Sequence, residues 1–350
     1  MDRKLHNQPG HPINIIKRII YDYFSLMGEF ETFDDLETVV SVEHNFDKLL
    51  IPLEHRSRTK SDTYYVTENT VLRTHTSAHQ NELLSQGIKN FLVTGDVYRK
   101  DEIDATHYPI FHQMEGVMVV PDGKDPEAEL LIILKGIVST LFPNKEYRIK
   151  PDYFPFTDPS FEIEVNVTSD PIGPDNVDGN WMEILGSGVV RDEIVKSNGL
   201  TEKFVAFGLG LDRLAMILFN IPDIRILWSQ HPRFAEQFTG EIFKFVPFSQ
   251  LECQTCDIAF WIPVEQIIEG IWVKENDFFD FIQSECNDFI SKVELIDKFV
   301  AACGKVSRAY RLTYSPVDPS LKNGAIFKEI CNQYSKKILK GLPELGLVAR

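Results

Sequence analysis

The sequence predicts an α+β protein, in which helices flank an antiparallel β-sheet and a smaller α+β domain follows. Three observations lead to this prediction. Five strand-like runs cluster in the middle of the chain and do not alternate with helices, as they would in a parallel sheet. Amphipathic helical patterns lie on both sides of that cluster. The apolar periodicity then breaks around residues 231–247, before a second series of elements begins.

Three helices are predicted in the first part of the chain. The first covers residues 12–27, where Pro12 suits the first turn and Gly28 can end the helix. A second is predicted to start at Ser77, which opens a capping-box sequence. A third follows an Asp-Pro pair and covers about residues 126–141.

The strand-like runs are bounded by polar or glycine-rich segments. Residues 91–98 and 111–120 flank a polar loop, so an antiparallel hairpin is predicted there. Further strands are predicted at residues 161–167, 181–190 and 204–209, with a helix at 211–219.

The chain is predicted to divide into a domain at residues 1–238, a linker at 239–256 and a second domain at 257–350. The second domain has the order β-α-β-β-α-β, which is the ferredoxin-like arrangement. Its elements are predicted at residues 257–262, 277–290, 292–299, 307–313, 325–339 and 345–350.

Composition limits the class of protein. Of 350 residues, 43% are apolar and 25% charged, and no apolar run is long enough to span a membrane. Five cysteines lie in the last hundred residues, an odd and one-sided count that favours free thiols. Cys253 and Cys256 have CxxC spacing, but nothing completes a zinc site, so no metal ligands are predicted.

Charge is distributed unevenly. The net charge is −16, which argues against general nucleic-acid binding. Residues 290–350 contain 11 Lys or Arg and 5 Asp or Glu, a net of +6 that leaves −22 for the remainder. A basic C-terminal segment on an otherwise acidic chain indicates that the two parts of the chain differ in function.

The first candidate motif occupies residues 95–116. A strand ends in Arg99, which suits a bidentate grip on a phosphate, and a polar loop carries His107. Phe111, Gln113 and Glu115 then alternate on one face of the returning strand, as in one wall of a ligand pocket. A charged hairpin tip beside a half-buried strand would contain the same residue types.

The second candidate motif occupies residues 204–216, where a strand runs directly into a helix. Gly208 and Gly210 permit close approach of a ligand, and Arg213 in the first helical turn can stack on a base or bind a phosphate. A buried turn with Arg213 paired to Asp212 or Glu202 is the alternative. The sequence contains no P-loop, no GxGxxG fingerprint and no GxSxG elbow.

These two segments resemble motifs 2 and 3 of class II aminoacyl-tRNA synthetases. The phenylalanyl-tRNA synthetase family in particular is similar at residues 72–77, 104–107, 111–116 and 154–156. The resemblance covers roughly residues 11–238. Residues 260–263, 293–299 and 310–314 resemble the ferredoxin-like anticodon-binding domain of the single-chain organellar enzymes.

The resemblance implies roles for individual residues. Arg99 would hold the ATP α-phosphate and the phenylalanine carboxylate, and Phe111 and Arg213 would sandwich the adenine. His107 and Asp101 would lie near the phosphates and the base. Arg99, His107 and Arg213 are the implied catalytic residues, and the implied ATP-binding set also includes Glu183.

The resemblance also implies the amino-acid pocket. Phe154 and Phe156 would meet the substrate ring edge-on, a favoured aromatic geometry. Ala206 and Gly208 would form a floor small enough to admit a benzyl group. The residues implied to bind the amino group and position the acid are His75, Ser77, Gln113 and Glu115.

The implied activity is activation of L-phenylalanine with ATP and Mg²⁺, followed by transfer to the 3′ end of tRNA(Phe). The class II dimer motif lacks its usual proline near residues 33–35, which favours a monomer, and no membrane partner is expected. The expected location is the mitochondrial matrix or a plastid, with the cytoplasm as the alternative. There are two competing hypotheses. The chain could be a synthetase that charges another amino acid, or an inactive paralogue that binds tRNA.

Overall fold

The computed structural model describes residues 3–167, 181–230, 232–246, 251–268, 270–286, 289–316, 321 and 323–350. The chain forms two compact units. The first comprises Met1–Arg99, Ile110–Pro222 and Ala235–Phe245, and the second comprises Lys100–Pro109, Asp223–Phe234 and Val246–Arg350. Among the described residues, no helix has both the length and the apolar character needed to cross a membrane.

The first unit is built on a seven-stranded sheet with the order β1-β4-β5-β9-β8-β7-β6. All neighbouring strands run antiparallel except β1 and β4, which form a parallel pair at one edge. The predicted antiparallel sheet is therefore confirmed, with one parallel edge added. The strands of this unit, including the separate pair β2–β3, are β1 (Glu31–Phe33), β2 (Val39–Ser41), β3 (Thr70–Leu72), β4 (Phe91–Tyr98), β5 (Ile110–Val119), β6 (Tyr147–Asp152), β7 (Thr157–Asn166), β8 (Trp181–Val190) and β9 (Phe204–Gly210).

Helices cover one face of this sheet. The ring of Phe24 stacks on Phe207 of β9, with the ring centroids 5.3 Å apart, and both side chains are buried. The helices of this part of the chain are α1 (Pro12–Ser25), α2 (Val42–Asn45), α3 (Gln80–Ser85), α4 (Pro126–Leu141), α5 (Asp192–Ser197) and α6 (Leu211–Phe219), and a short α7 (Pro232–Ala235) lies at the junction of the two units. Helices α1, α4 and α6 pack on this face. On the opposite face, α3 and α5 pack against the part of the sheet that contains Val93, Val117 and Ala206, and the part around Gly208 and Gly210 stays open.

The α-helix that was predicted to start at Ser77 starts instead at Gln80. A short 3-10 helix, Thr76–His79, precedes α3, and no side chain caps either helix. The Ser77 hydroxyl is instead hydrogen-bonded to Glu115 of β5. A tertiary contact has therefore replaced the local capping interaction.

The second unit has the order β10, α8, β13, β14, α9, β15, as the β-α-β-β-α-β pattern predicts, with a small hairpin β11–β12 inserted after β10. Its sheet order is β13-β14-β10-β15. The elements are β10 (Gln254–Ile262), β11 (Ile267–Ile268), β12 (Ile271–Trp272), α8 (Glu275–Cys286), β13 (Ile290–Val300), β14 (Val306–Tyr314), α9 (Gly324–Gly341) and β15 (Val348–Ala349).

The core of the second unit also contains Ile103, from the segment Lys100–Pro109. The backbone N–H of Val293 donates to the Ile103 carbonyl at 2.9 Å, and Lys100 pairs with Asp277 at 3.2 Å. The segment that joins β4 to β5 is thus part of the unit formed mainly by the C-terminal residues. The predicted domain boundaries, 1–238, 239–256 and 257–350, remain a prediction.

Candidate active site

The face of the large sheet opposite α1, α4 and α6, called the uncovered face below, is lined with glycines in the part that α3 and α5 leave open. In the cross-strand register, Gln113 of β5 lies between Gly95 and Gly210, and Glu115 lies beside Gly208. A methyl group added at Gly208 or Gly210 would meet no atom within 4 Å. Since cross-strand neighbours project on the same face, these positions border an open space that a ligand can enter.

Other glycines of this face make room for side chains of the protein itself. A Cβ at Gly186 would lie 2.7 Å from the Phe154 ring, and one at Gly95 would lie 2.0 Å from the Arg73 guanidinium. Arg73 is buried and donates from Nε to the Asp96 carbonyl at 2.8 Å. The role of Arg73 in supporting the sheet was missed, because nothing in its sequence neighbourhood indicates a partner at residue 95.

Two predicted ATP-binding residues meet where β4 ends and β5 begins. The guanidinium carbon of Arg99 lies 5.2 Å from the centroid of the Phe111 ring, and Arg99 Nε donates to the Thr74 carbonyl at 2.9 Å. The cation–π contact and the backbone hydrogen bond together hold the exposed Arg99 in place.

Arg213 occupies the first turn of α6, directly after Gly210. Its Nη1 lies 3.4 Å from the Glu183 carbonyl. The two acidic partners considered for it are engaged elsewhere, because Asp212 binds His112 and Glu202 binds Lys89. The alternative in which Arg213 pairs with Asp212 or Glu202 is therefore wrong, and Arg213 lies beside Glu183.

Glu183 reaches this face through a β-bulge. The register between β7 and β8 shifts after Ile163, so that Glu183 pairs with Glu164. Surrounding side chains raise the pKa of Glu183 by desolvation, Arg213 opposes that rise, and nearby carboxylates add to it. A nearby cation would favour the charged form of this carboxyl group and lower its pKa.

The other end of the face carries Glu115 and Ser77. Glu115 is 3% exposed, and burial raises the pKa of its carboxyl group to about 8, although the Ser77 hydroxyl works in the opposite direction. Burial, together with the positive charge of Arg99, lowers the pKa of nearby His75 to about 3. His75 is therefore a neutral imidazole at physiological pH, so one ring nitrogen can donate a hydrogen bond and the other can accept one.

The two phenylalanines predicted for the pocket lie together. The rings of Phe154 and Phe156 are stacked, with centroids 5.8 Å apart and planes inclined by 17°. Phe154 sits over Gly186, and Phe156 packs against the apolar cluster that contains Ala206. The structure therefore gathers Phe154, Phe156, Ala206 and Gly208 in one region of the first unit.

Asp101 and His107 belong to the second unit, in the segment Lys100–Pro109. His107 is fixed by Asp104, which accepts from the His107 backbone at 2.8 Å and lies 2.8 Å from its Nδ1. Burial opposes ionisation of Asp104, but hydrogen bonds from His107 and Thr106 outweigh it and hold the pKa at about 2. Asp104 was missed as a positioning residue, although its place three residues before His107 is typical of such turns.

Residues 2–238 match the family described as tRNA synthetases class II core domain (F). The chain is 44% identical over 334 residues to the chloroplastic/mitochondrial phenylalanine–tRNA ligase of Arabidopsis thaliana, covering 91% of this chain and 74% of the relative. Identity to the mitochondrial phenylalanine–tRNA ligase of Mus musculus is 39% over 366 residues, covering 91% and 78%. The phenylalanine–tRNA ligase alpha subunit of Fusobacterium nucleatum is 40% identical over 238 residues, covering 65% and 68%.

The sheet, its glycine-lined face and the arginines at the strand ends, together with these matches, define a class II aminoacyl-tRNA synthetase. Within that class, the chain belongs to the phenylalanine–tRNA ligase family. The resemblance read from the sequence is confirmed.

Proposed function

We propose that the uncovered face of the large sheet binds ATP and L-phenylalanine, forms phenylalanyl adenylate, and passes the acyl group to the 3′ end of tRNA(Phe). The observation that carries this proposal is the open space above Gly208 and Gly210. It has Arg99 and Phe111 toward one end and the buried Glu115 toward the other. The cationic end suits the phosphates, and the acidic end suits the ammonium group.

In the adenylation step, a carboxylate oxygen of phenylalanine bonds to the α-phosphorus while the bond from that phosphorus to pyrophosphate breaks. Two anions must approach each other, so alignment and positive charge matter more than proton transfer. Arg99 supplies that charge from an oriented position. Arg213 would lie against the adenine on the side opposite Phe111.

A carboxylate oxygen suits a hard divalent cation, and Glu183 is exposed on this face. Glu162 and Glu164 are already paired with Lys150 and Arg148, so they are not assigned to a cation. We assign Glu183 as the residue that would hold Mg²⁺ together with ATP. When bound, Mg²⁺ neutralises charge on the phosphates.

For phenylalanine itself, Glu115 and Ser77 are the proposed ammonium partners, with Gln113 and His75 completing the polar wall. The stacked pair Phe154 and Phe156 would contact the substrate ring, above a floor formed by Ala206 and Gly208. The apolar packing of Phe156 supports this division between polar and apolar walls. The roles of Asp101 and His107 near ATP remain predictions.

The tRNA contact is proposed on the second unit. On the face of its sheet opposite the core residues Phe260 and Ile262, Trp261 and Phe299 are edge-to-face with centroids 6.1 Å apart. The Arg350 guanidinium lies 4.8 Å from the Phe299 centroid and 5.4 Å from that of Trp261. Aromatic rings beside a cation suit unpaired bases of an anticodon.

The basic residues of the tail differ in their surroundings. Arg308 is 5% exposed and binds Glu275 and Tyr310, so it is not a candidate for contact with phosphate. Arg311 is exposed on β14 but pairs with Asp257 at 2.8 Å. Lys336, Lys337 and Lys340 belong to α9. Trp261, Phe299 and Arg350 are therefore the stronger candidates for tRNA contact.

We further propose that the protein acts as a monomer in the mitochondrial matrix or in a plastid. Matches that cover at least 91% of this chain to relatives named mitochondrial or chloroplastic support the location, and the missing proline near residues 33–35 supports the monomer.

The test is amino-acid-dependent exchange between ATP and pyrophosphate, run over a panel of amino acids. Phenylalanine alone should give strong exchange, and a Glu115→Gln variant should need far more of it. Exchange with a different amino acid would show that the protein is a class II synthetase for that amino acid. Exchange with none would overturn the proposal.

A further inference from the structure

Three side chains converge on the helix-covered side of the large sheet, opposite the glycine-lined face. Asp96 of β4 and His112 of β5 are direct cross-strand partners, and His6 comes from the short 3-10 helix Leu5–Asn7. All three are at most 2% exposed. His6 Nδ1 and His112 Nε2 each lie 3.3 Å from Asp96 Oδ1.

The outer nitrogens of both imidazoles already have acceptors. His6 Nε2 lies 2.9 Å from the Asp34 carbonyl, and His112 Nδ1 lies 3.1 Å from both carboxylate oxygens of Asp212. A carbonyl or carboxylate can only accept, so the proton of each neutral imidazole is at its outer nitrogen. In the neutral form of both residues, the inner nitrogens present lone pairs toward Asp96.

With both imidazoles neutral, the cluster contains acceptors alone, and either a proton on an imidazole or a metal ion would supply the missing partner. Within the residues that the structure describes, neither oxygen of Asp96 accepts a hydrogen bond of good geometry, although His6 and His112 both lie 3.3 Å from Oδ1. Arg73 covers Gly95 on the opposite face of β4 and donates to the Asp96 backbone carbonyl, and its charge is the weakest of the favourable ones that act on the Asp96 carboxylate. Asp96 and Asp212 bring two negative charges into a buried region, and such a region requires positive compensation.

We propose that His6, Asp96 and His112 form a binding site for a divalent transition metal of the zinc type. Two imidazole nitrogens and a carboxylate are a common zinc ligand set, and the second Asp96 oxygen is available as a fourth ligand. The Asp34 carbonyl and the Asp212 carboxylate already orient the two imidazoles, as the outer partners of metal-bound histidines do.

The spacing is close to that of a loaded site. The three ligand atoms lie within 4.8 Å of one another. In a tetrahedral zinc site they would be roughly 3.3 Å apart, given zinc–nitrogen bonds of about 2.0–2.1 Å. Binding therefore requires only a small inward movement of the two imidazoles, along the direction in which their lone pairs already point.

The position gives the metal a structural role. It would fasten the N-terminal segment to β4 and β5 at the cross-strand pair directly behind Gly95 and Gln113. No ligand atom reaches the uncovered face, so the metal would hold the floor of the site and take no part in adenylation. Because the ligands are buried, the metal would enter as the chain folds.

The primary test is the metal content of the full-length chain, purified without a histidine tag or chelator from zinc-supplemented cells. Mass spectrometry of the elements should find zinc in a stoichiometric amount. Refolding with Co²⁺ in place of zinc should produce the visible absorption bands of a tetrahedral cobalt complex. A strong chelator should lower the melting temperature.

Variants separate this site from adventitious binding. His6→Gln and Asp96→Asn should each reduce zinc to background and make the melting temperature insensitive to the chelator. His55→Gln, at an exposed histidine, should leave both readouts unchanged. If neither variant folds, the metal content and cobalt spectrum of the parent chain decide the question.

A parent chain that contains no zinc, and takes up neither Zn²⁺ nor Co²⁺ on refolding, would overturn the proposal. Nitrogen NMR would then show His6 and His112 as imidazolium ions that satisfy Asp96 with protons. Equal zinc content in the parent chain and in His6→Gln would also count against the site.

Discussion

The Ser77 hydroxyl is hydrogen-bonded to the buried carboxyl group of Glu115. Glu115 Oε2 has no hydrogen-bond partner among the described residues. Burial raises the pKa of this group to about 8, so the free protein at neutral pH holds it mainly in the protonated form. An ammonium ion placed beside it would favour the carboxylate, which links phenylalanine binding to proton release.

We therefore expect phenylalanine to bind more tightly as the pH rises from 6 toward 8, with release of a proton near pH 7. Calorimetric titration in buffers of different ionisation enthalpy measures that proton directly. Glu115→Gln should abolish the release and weaken binding, whereas Glu68→Gln, at an exposed position, should change neither. Binding without proton release in the parent chain would remove Glu115 from the ammonium site.

Arg99→Ala should slow adenylate formation by roughly two to three orders of magnitude, as removal of other preorganised electrostatic groups does. The physical reason is the loss of a cation held by Phe111 and the Thr74 carbonyl. Single-turnover formation of the adenylate is the measurement. Arg18→Ala, at an exposed residue of α1, is the control, and near-normal rates in folded Arg99→Ala would exclude the assigned role.

Ala206→Gly should enlarge the floor of the pocket and allow activation of p-chlorophenylalanine. Ala206 is 5% exposed and belongs to the cluster against which Phe156 packs, so its methyl group limits the depth of this region. Apolar pockets discriminate by about 1–3 kcal/mol per methylene, which sets the scale of the gain. If kcat/KM for the chlorinated substrate does not rise, Ala206 does not form the floor.

Gly208→Ala is the converse change. Nothing within 4 Å opposes the added methyl group, so the variant should fold with an unchanged melting temperature. The same methyl group would enter the space assigned to the substrate and raise the KM for phenylalanine. Gly324→Ala at the start of α9 is the control, and an unaltered KM in Gly208→Ala would show that no ligand lies over this strand.

A chain that ends at Phe245 should lose ATP–pyrophosphate exchange as well as tRNA charging. The sequence alone predicts that exchange survives, because it places residues 257–350 in a separate domain. The structure places Ile103 in the core of the second unit, so truncation would strip the packing from the loop that carries Asp101 and His107. Parallel assays of exchange and charging distinguish the two outcomes, with circular dichroism to show that the fragment folds.

Local pattern was sufficient for much of the fold. The strand at residues 91–98, the strand at 181–190 and the helix at 211–219 were each predicted to the residue, because alternation and helical periodicity are properties of short segments. Strict alternation, however, would turn Glu183 to the helix-covered face. The bulge that reorients it depends on pairing with β7, which no local pattern contains.

The candidate site was predictable only in part, for the same reason. Arg99 and Phe111 carry motif signals, and the structure places them in contact. The support of Gly95 by Arg73, and the meeting of His6 with Asp96, join positions far apart in the chain. Contacts of this kind form only when the whole chain has folded, so they cannot be predicted from local sequence motifs.

The segment Lys100–Pro109 also has a consequence for biosynthesis. The ribosome releases Ile103 well before Val293, the residue whose backbone N–H it accepts. During that interval, the strands on either side of the loop can pair while the loop itself lacks its packing partners. A nascent or prematurely terminated chain would therefore have a formed sheet and an unanchored loop, and full competence would be reached only when translation is nearly complete.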